Sequence, residues 1–194
     1  MKVRMILSSL SFYVQLLLGK MLGISYVVQY LRNPNPLVTA KLLRAFGAKI
    51  GDATTFKRTI FLDNVFEDEN SAGDFSHLVI GNNCYIGDCV YLDLADEIVI
   101  KNNVVISGQV SFVTHADCNR SKELKVLFPR TRGRIVVKDG SWIAFGATLL
   151  QGISLGERAV IAANSLVNKD VDDFSLWGGV PAVKIRDLEH GTQL

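Results

Sequence analysis

The chain has 194 residues, of which 48% are hydrophobic and 21% charged, and its formal net charge at pH 7 is +2. This length supports one domain with a substantial core and is too short for two domains of ordinary size. The three cysteines include no CxxC spacing, which argues against a disulfide framework or a zinc knuckle and favours a reducing cytosol.

The first 51 residues contain seven lysines and arginines and no acidic residue, whereas all 19 acidic residues lie from Asp52 onward. Such asymmetry indicates that this segment faces something anionic, either a membrane surface or nucleic acid. Residues 5–18 are too short and too interrupted by serines for a transmembrane helix, and no signal-peptide cleavage site follows them. Leucines at helical spacing in LLLGKMLG and PLVTAKLLRAFG predict two helices that cap the domain.

From residue 137 onward an aliphatic residue recurs at every sixth position, and a small or branched residue stands four positions after each. The same register occurs earlier, with an excursion over residues 67–77 and a spacing of eight between Leu92 and Ile100. The spacing of eight places a two-residue insertion at residues 93–97. The anchor positions are Ile50, Phe56, Leu62, Ile80, Ile86, Leu92, Ile100, Ile106, Phe112, Val137, Ile143, Leu149, Leu155, Ile161 and Val167.

A period of six fits neither the 3.6-residue period of a helix nor the alternation of a strand. It predicts a triangular parallel β-coil, in which each hexapeptide forms one short strand and a corner and three hexapeptides make a turn of about 18 residues. We expect the anchors to point into the coil axis and the small residues to leave room at the corners. The predicted fold class is therefore all-β, with the tail from Pro181 as a second cap.

Four segments, VIGNNCYIGDCV, VTHAD, SWIAFGATLLQGISLGERAVIAANSLVNKD and GGVPAVKIR, resemble in order and spacing the left-handed β-helix hexapeptide-repeat acyltransferases. The resemblance is to the sugar O-acetyltransferase branch, which includes galactoside and maltose acetyltransferases and enzymes of surface polysaccharide synthesis. It covers residues 47–188, leaving a helical segment at 1–46 and a tail at 189–194. It implies acetyl-CoA as co-substrate, no metal, and a homotrimer whose sites lie between adjacent coils.

His115 lies on a predicted corner, and the next anchor after Phe112 is Val137, so that residues 119–136 form an inserted basic loop beside the histidine. In the family such a loop leaves the coil next to the active histidine. An imidazole that titrates near neutrality can remove the proton of a sugar hydroxyl as its oxygen attacks a thioester, and return it to the departing thiolate. We therefore predict that His115 is a general base.

The remaining site predictions follow from the resemblance. The family often has a polar residue that binds the sugar about one coil turn before the histidine, and here Asp93 is the candidate, with a solvated corner carboxylate as the alternative. The candidates for coenzyme A binding match the family's tryptophan, backbone-contact and phosphate positions. They are Trp142, Ala144, Ala163, Ser165, Asn168, Lys169 and Arg186.

The predicted function is acetyl transfer to a sugar hydroxyl or amine in surface polysaccharide or lipopolysaccharide synthesis. The predicted location is cytoplasmic, and no nucleic acid partner is expected. Residues 1–46 either cap the coil or lie on the inner membrane surface. In the second case the acceptor would be a lipid-linked sugar. Two alternatives share the coil. One is a non-catalytic scaffold, and the other is a γ-carbonic anhydrase-like zinc enzyme, which would need His77, His115 and His190 on one metal.

Overall fold

The structure is a computed structural model that describes residues 2–66 and 71–188, with side chains described from Leu7 onward. Its elements, in chain order, are α1 (Lys2–Leu22), α2 (Ile24–Tyr30), α3 (Pro36–Ala45), β1 (Lys49–Ile50), β2 (Thr55–Phe56), β3 (Ile60–Asp63), β4 (Leu78–Ile80), β5 (Tyr85–Ile86), β6 (Val90–Asp93), β7 (Ile98–Ile100), β8 (Val105–Ile106), β9 (Ser111–Phe112), β10 (His115–Ala116), α4 (Leu124–Leu127), β11 (Thr131–Arg132), β12 (Ile135–Val137), β13 (Trp142–Ile143), β14 (Thr148–Leu149), β15 (Ser154–Leu155), β16 (Val160–Ile161), β17 (Leu166–Val167), β18 (Ser175–Gly179) and β19 (Ala182–Asp187).

Three sheets form the sides of a triangular coil, and their strands are parallel except for β19, which pairs antiparallel with β18. Sheet A has the order β1-β4-β7-β12-β15, sheet B the order β19-β18-β16-β13-β8-β5-β2, and sheet C the order β17-β14-β9-β6-β3. Every strand of the coil pairs with a strand one turn away, as in the alignment of Leu92 with Phe112 and of Phe112 with Leu149. The predicted all-β coil is confirmed.

The core of the coil is the column of anchor residues. All fifteen predicted anchors are buried, and from Ile80 onward none is more than 2% exposed. The small corner residues, among them Ser141, Ala147 and Ala159, are also buried, because their short side chains fit inside the bend. Burial of stacked aliphatic side chains, at roughly 25 cal/mol per Å² of apolar surface, supplies the main stabilising free energy of such a coil.

The N-terminal residues fold into three helices, one more than the sequence predicted. Gly23 has a φ of 86°, in the left-handed region that favours glycine, and its N–H bonds to the carbonyl of Gly19, so the first helix ends there. The side chain of Asn35 caps α3 by accepting from the N–H of Leu37. Arg44 then ties α3 to the first coil turn by donating to the carbonyl of Ile50 at 2.7 Å.

No helix within the described part of the chain is both long and apolar enough to cross a membrane. At the opposite end of the coil, β18 and β19 form an antiparallel hairpin on sheet B. The loop after β9 contains the antiparallel pair β10 and β11 and the short helix α4, and the coil resumes at Ile135. The inserted loop thus ends two residues earlier than predicted, because Ile135 and Val136 pair with β7.

Candidate active site

The candidate site is built around His115 and Asp93. The Nδ1 atom of His115 lies 2.6 Å from Oδ2 of Asp93, and the Asp93 side chain is completely buried. An ionised carboxylate can only accept a hydrogen bond, so Nδ1 carries the proton and donates it. The other ring nitrogen, Nε2, is therefore the unprotonated one in the neutral ring, and 22% of the His115 side chain is exposed. This arrangement leaves an unprotonated nitrogen on a partly exposed ring.

The carboxylate of Asp93 accepts five hydrogen bonds. Besides the imidazole, Oδ2 accepts from the backbone N–H groups of Thr114 at 2.7 Å and of His115 at 3.1 Å. The other oxygen, Oδ1, accepts from the side-chain amide of Asn64 at 2.8 Å and from the backbone N–H of Ala95 at 3.1 Å. Burial raises the pKa of Asp93, but the hydrogen bonds from His115, Asn64 and Ala95 outweigh it and hold this pKa below its ordinary value.

The coil geometry explains why these residues meet. Asp93 is the last residue of β6, and β6 pairs with β9, so the chain after β9 runs past Asp93 at the same corner. The two-residue insertion after β6 provides a turn in which Ala95 donates back to the carboxylate. Thr114 fastens the two turns together, because its hydroxyl donates to the carbonyl of Asp93 and accepts from the N–H of Asp96.

The role predicted for Asp93 therefore changes. A carboxylate with no exposed surface and five donors cannot bind a sugar within this chain, and its geometry fits the positioning of His115 instead. Sequence reasoning missed Asn64 and Thr114. The strand register could have revealed Asn64, because Asp63 of β3 aligns with Asp93 of β6 and Asn64 is the next residue.

The predicted coenzyme A residues lie on two different parts of the coil. Asn168 and Lys169 follow β17 and thus share the corner of His115, two turns further along sheet C. Trp142 begins β13 in sheet B, where the residue is 48% exposed and its Nε1 donates to Oγ of Ser107 at 3.2 Å. Ala163 is exposed at the corner between sheets B and C. One chain therefore does not gather all of these residues at His115.

The remaining three predicted coenzyme A residues differ in whether their polar groups are free to contact a ligand. Ser165 is buried, and its Oγ accepts from the N–H of Gly179, so its hydroxyl serves the coil. The N–H of Ala144 is likewise used by the carbonyl of Ile161 within sheet B. Arg186 is exposed on β19.

The cations near the C-terminal end are not equivalent. The Lys169 ammonium lies 5.2 Å from the centre of the Trp177 ring and is exposed. Lys184, in contrast, forms ion pairs with Asp187 at 2.6 Å and Asp172 at 3.2 Å. The hydrogen bond that Lys184 donates to Asp187, with a second to Asp172, raises the pKa of Lys184 above its ordinary value. Lys184 is thus already engaged, whereas Lys169 presents its charge to solvent.

The loop beside His115 encloses an open cavity of about 450 Å³. Its walls include Leu124 and Leu127 of α4, Phe128, and Ala116, which follows His115 in the chain. The antiparallel pair β10 and β11 aligns His115 with Arg132. The loop therefore places apolar and basic side chains next to the candidate base.

The described residues contain no group of three His, Cys, Asp or Glu side chains that could hold a metal ion. His77 directs its Nδ1 to the carbonyl of Leu94 at 2.8 Å, and His115 directs its own to Asp93. His190 lies outside the described residues, as does the tail 189–194.

A putative acetyltransferase of Schizosaccharomyces pombe is 31% identical over 170 residues, which cover 77% of this chain and 80% of that protein. The chain belongs to the hexapeptide-repeat acetyltransferase family. A putative colanic acid biosynthesis acetyltransferase of Escherichia coli is 28% identical over 76% of this chain and 74% of its own. No family model matches the sequence.

A hexapeptide-repeat acetyltransferase of Vibrio cholerae has a similar structure, with a TM-score of 0.71, 22% identity, and coverage of 85% of this chain and 88% of that one. A second structure of that protein contains acetyl-CoA and gives a TM-score of 0.58, with 23% identity and 85% of each chain covered. These structural similarities confirm the predicted left-handed β-helix fold.

Proposed function

We propose that this hexapeptide-repeat acetyltransferase moves an acetyl group from acetyl-CoA to a hydroxyl or amine of a sugar, with His115 as the general base. The observation that carries the proposal is the hydrogen bond between Nδ1 of His115 and the buried carboxylate of Asp93, because it fixes the tautomer and leaves Nε2 as the proton acceptor. Family membership and the acetyl-CoA complex of the Vibrio cholerae relative support the donor.

His115 performs the proton transfer in this proposal. Its Nε2 removes the hydroxyl proton as the sugar oxygen attacks the thioester carbonyl, and returns that proton to the sulfur as the carbon–sulfur bond breaks. The products are the acetylated sugar and free coenzyme A thiol, so atoms and charge balance. Asp93 is a positioning residue, since it holds the ring and its negative charge stabilises the imidazolium that forms between the two transfers.

The placement of the other candidates supports a homotrimer. Lys169 shares the corner of His115, whereas Trp142 and Ala163 lie on sheet B and its corner with sheet C. A single extended coenzyme can contact both groups where the corner of one coil faces sheet B of another. We therefore propose that the site lies between neighbouring copies, with Lys169 and Arg186 near the coenzyme phosphates.

The colanic acid relative from Escherichia coli supports a sugar acceptor of the surface polysaccharide kind. The uniformly basic N-terminal residues support a cytoplasmic enzyme that works at the inner membrane surface on a lipid-linked sugar. The apolar and basic loop beside His115 suits an acceptor that carries both phosphate and hydrocarbon.

The test combines calorimetric titration of acetyl-CoA with detection of free coenzyme A thiol in a screen of sugar acceptors. We expect His115→Ala to bind acetyl-CoA as the wild type does, and to release thiol about 10² to 10⁴ times more slowly with an active acceptor. His77→Ala is the matched control, because it removes a histidine whose Nδ1 bonds to a backbone carbonyl. Absence of acetyl-CoA binding in the wild type, or full activity of His115→Ala, would overturn the proposal.

A further inference from the structure

Helix α1 (Lys2–Leu22) has a row of exposed apolar side chains along one side. They follow one another at spacings of three, four, three and four residues, which keeps them on the same face of the helix. Their exposed fractions range from 44% to 71%. The row, called here the α1 stripe, consists of Leu7, Leu10, Val14, Leu17 and Met21.

The opposite face of α1 holds the helix against the rest of the chain. Gly19 is buried, and a Cβ atom there would lie 2.6 Å from Cζ of Phe46 and 2.7 Å from Cγ2 of Val27, so the backbone of α1 packs closely on its neighbours. Gln15 accepts a hydrogen bond from the Tyr26 hydroxyl, and Phe12 packs against the core. Docking of the inner face leaves the stripe pointing outward.

The positive charge of the N-terminal segment favours an anionic partner for the stripe. The first 51 residues carry seven positive charges and no negative one. Lys20 on α1, Arg32 after α2 and Lys41 on α3 are all exposed. An apolar helix face in a segment whose charges are all positive is the pattern of a helix that lies in the interface of an anionic membrane, with basic side chains among the lipid headgroups.

The same spacing of leucines would also suit pairing of α1 with α1 of a second copy of the chain, as in a coiled coil. Stable coiled coils pair opposite charges beside the apolar seam, and here no flanking position is acidic, since these positions hold Ser11, Tyr13, Leu18 and Lys20. Two such segments would bring their positive charges together, and this repulsion opposes self-association. Charge complementarity therefore favours anionic lipid.

We propose that the α1 stripe inserts into the interfacial region of an anionic membrane and holds the enzyme there. The stripe is about 21 Å long at 1.5 Å per residue, which suits a helix lying parallel to the surface. This proposal rests on the membrane location proposed above and names the α1 stripe as the surface that contacts the lipid. It is tested without substrate, so its failure would leave the acetyl-transfer proposal intact.

The experiment is co-sedimentation of the full chain with phosphatidylcholine vesicles and with vesicles that also contain phosphatidylglycerol. We expect binding only to the anionic vesicles, with a partition coefficient that falls as salt is raised. Leu10→Gln with Leu17→Gln keeps helix propensity and should lower the partition coefficient about tenfold for each leucine replaced. The matched control is Val183→Thr with Ile185→Thr, which removes two exposed apolar side chains from β19 and should bind as the wild type does.

Light scattering of each variant in solution completes the test. Equal sedimentation of the wild type and the leucine double variant would overturn the proposal, as would failure of the wild type to bind anionic vesicles. A lower oligomeric mass of the double variant, with no vesicle binding by the wild type, would assign the α1 stripe to a second copy and also overturn it. Unchanged mass with lost vesicle binding is the expected result.

Discussion

Replacing Asp93 with asparagine tests the structural logic of the candidate site. In the wild type, each oxygen of the carboxylate accepts from buried donors, three at Oδ2 and two at Oδ1. Asparagine has one oxygen and one NH₂ group in the same space. The least costly orientation puts the NH₂ group in the Oδ1 position, where the Asn64 amide can turn its oxygen toward it, but the buried N–H of Ala95 then loses its acceptor.

The cost follows from the count of orphaned donors. A buried donor without a partner costs about 1–3 kcal/mol, so the orphaned N–H of Ala95 predicts a loss of about 1–3 kcal/mol in the free energy of unfolding. Asp96→Asn is the matched control, because Asp96 is three residues away and, among the residues that the structure describes, its side chain accepts from the N–H of Glu97 alone. The oxygen of asparagine can keep that bond, so the control should cost less than about 1 kcal/mol.

The assay is urea unfolding of the two variants and the wild type at equal protein concentration, followed by the thiol-release assay with an active acceptor. We expect a clear drop in the urea midpoint for Asp93→Asn, and at least a hundredfold loss of kcat because the imidazolium loses its negative partner. Equal midpoints for Asp93→Asn and Asp96→Asn would refute the hydrogen-bond account. A stable Asp93→Asn variant with wild-type kcat would refute the positioning role.

Three further predictions concern pH, phosphate contacts and the coil corners. Because the pKa of Asp93 is lowered in the folded state, the Asp93 carboxylate stabilises the fold fully above the ordinary carboxyl pKa, and this stabilisation is lost as pH falls through the folded-state pKa. The urea midpoint of the wild type should therefore fall more in acid than that of Asp93→Asn. Lys169→Ala should weaken acetyl-CoA binding about tenfold by calorimetry, whereas Lys184→Ala, whose charge is engaged in two ion pairs, should leave it unchanged. Gly156→Ala should lower the free energy of unfolding by roughly 1–3 kcal/mol in urea titration, because its Cβ would collide with backbone atoms of the next coil turn.

The period of six carried most of the fold prediction, because it is imposed by burial. Each anchor occupies the same inward position in the triangle, and the burial of Ile106, Phe112 and Val137 follows from spacing alone. The helical segment was harder to predict. Its leucine spacing indicates helix but does not show that Gly23 divides it, since that depends on a backbone conformation with positive φ.

The site was predictable only where it follows the coil. His115 could be proposed as a base because a histidine at the start of an inserted loop stands out from the repeat. The role of Asp93 was not found, because a corner acid and a buried acid look the same in sequence. Its burial depends on Thr114 and on Asn64, which is 29 residues distant, and such contacts between turns are visible only once the strands are in register. Lys184 illustrates the same limit, since its partner Asp172 lies on another segment.

The two-residue insertion after β6 connects the fold to the chemistry. Leu92 and Phe112 align in sheet C although 20 residues separate them, so the extra residues are accommodated at the corner without shifting the strands. The resulting turn supplies the N–H of Ala95 to one carboxylate oxygen, while the next coil turn supplies Thr114 and His115 to the other. The backbone of two successive turns therefore holds the carboxylate in place. The hydrogen bond from Nδ1 to this fixed carboxylate is then enough to orient the imidazole. A repetitive coil can in this way hold a base rigidly at one corner.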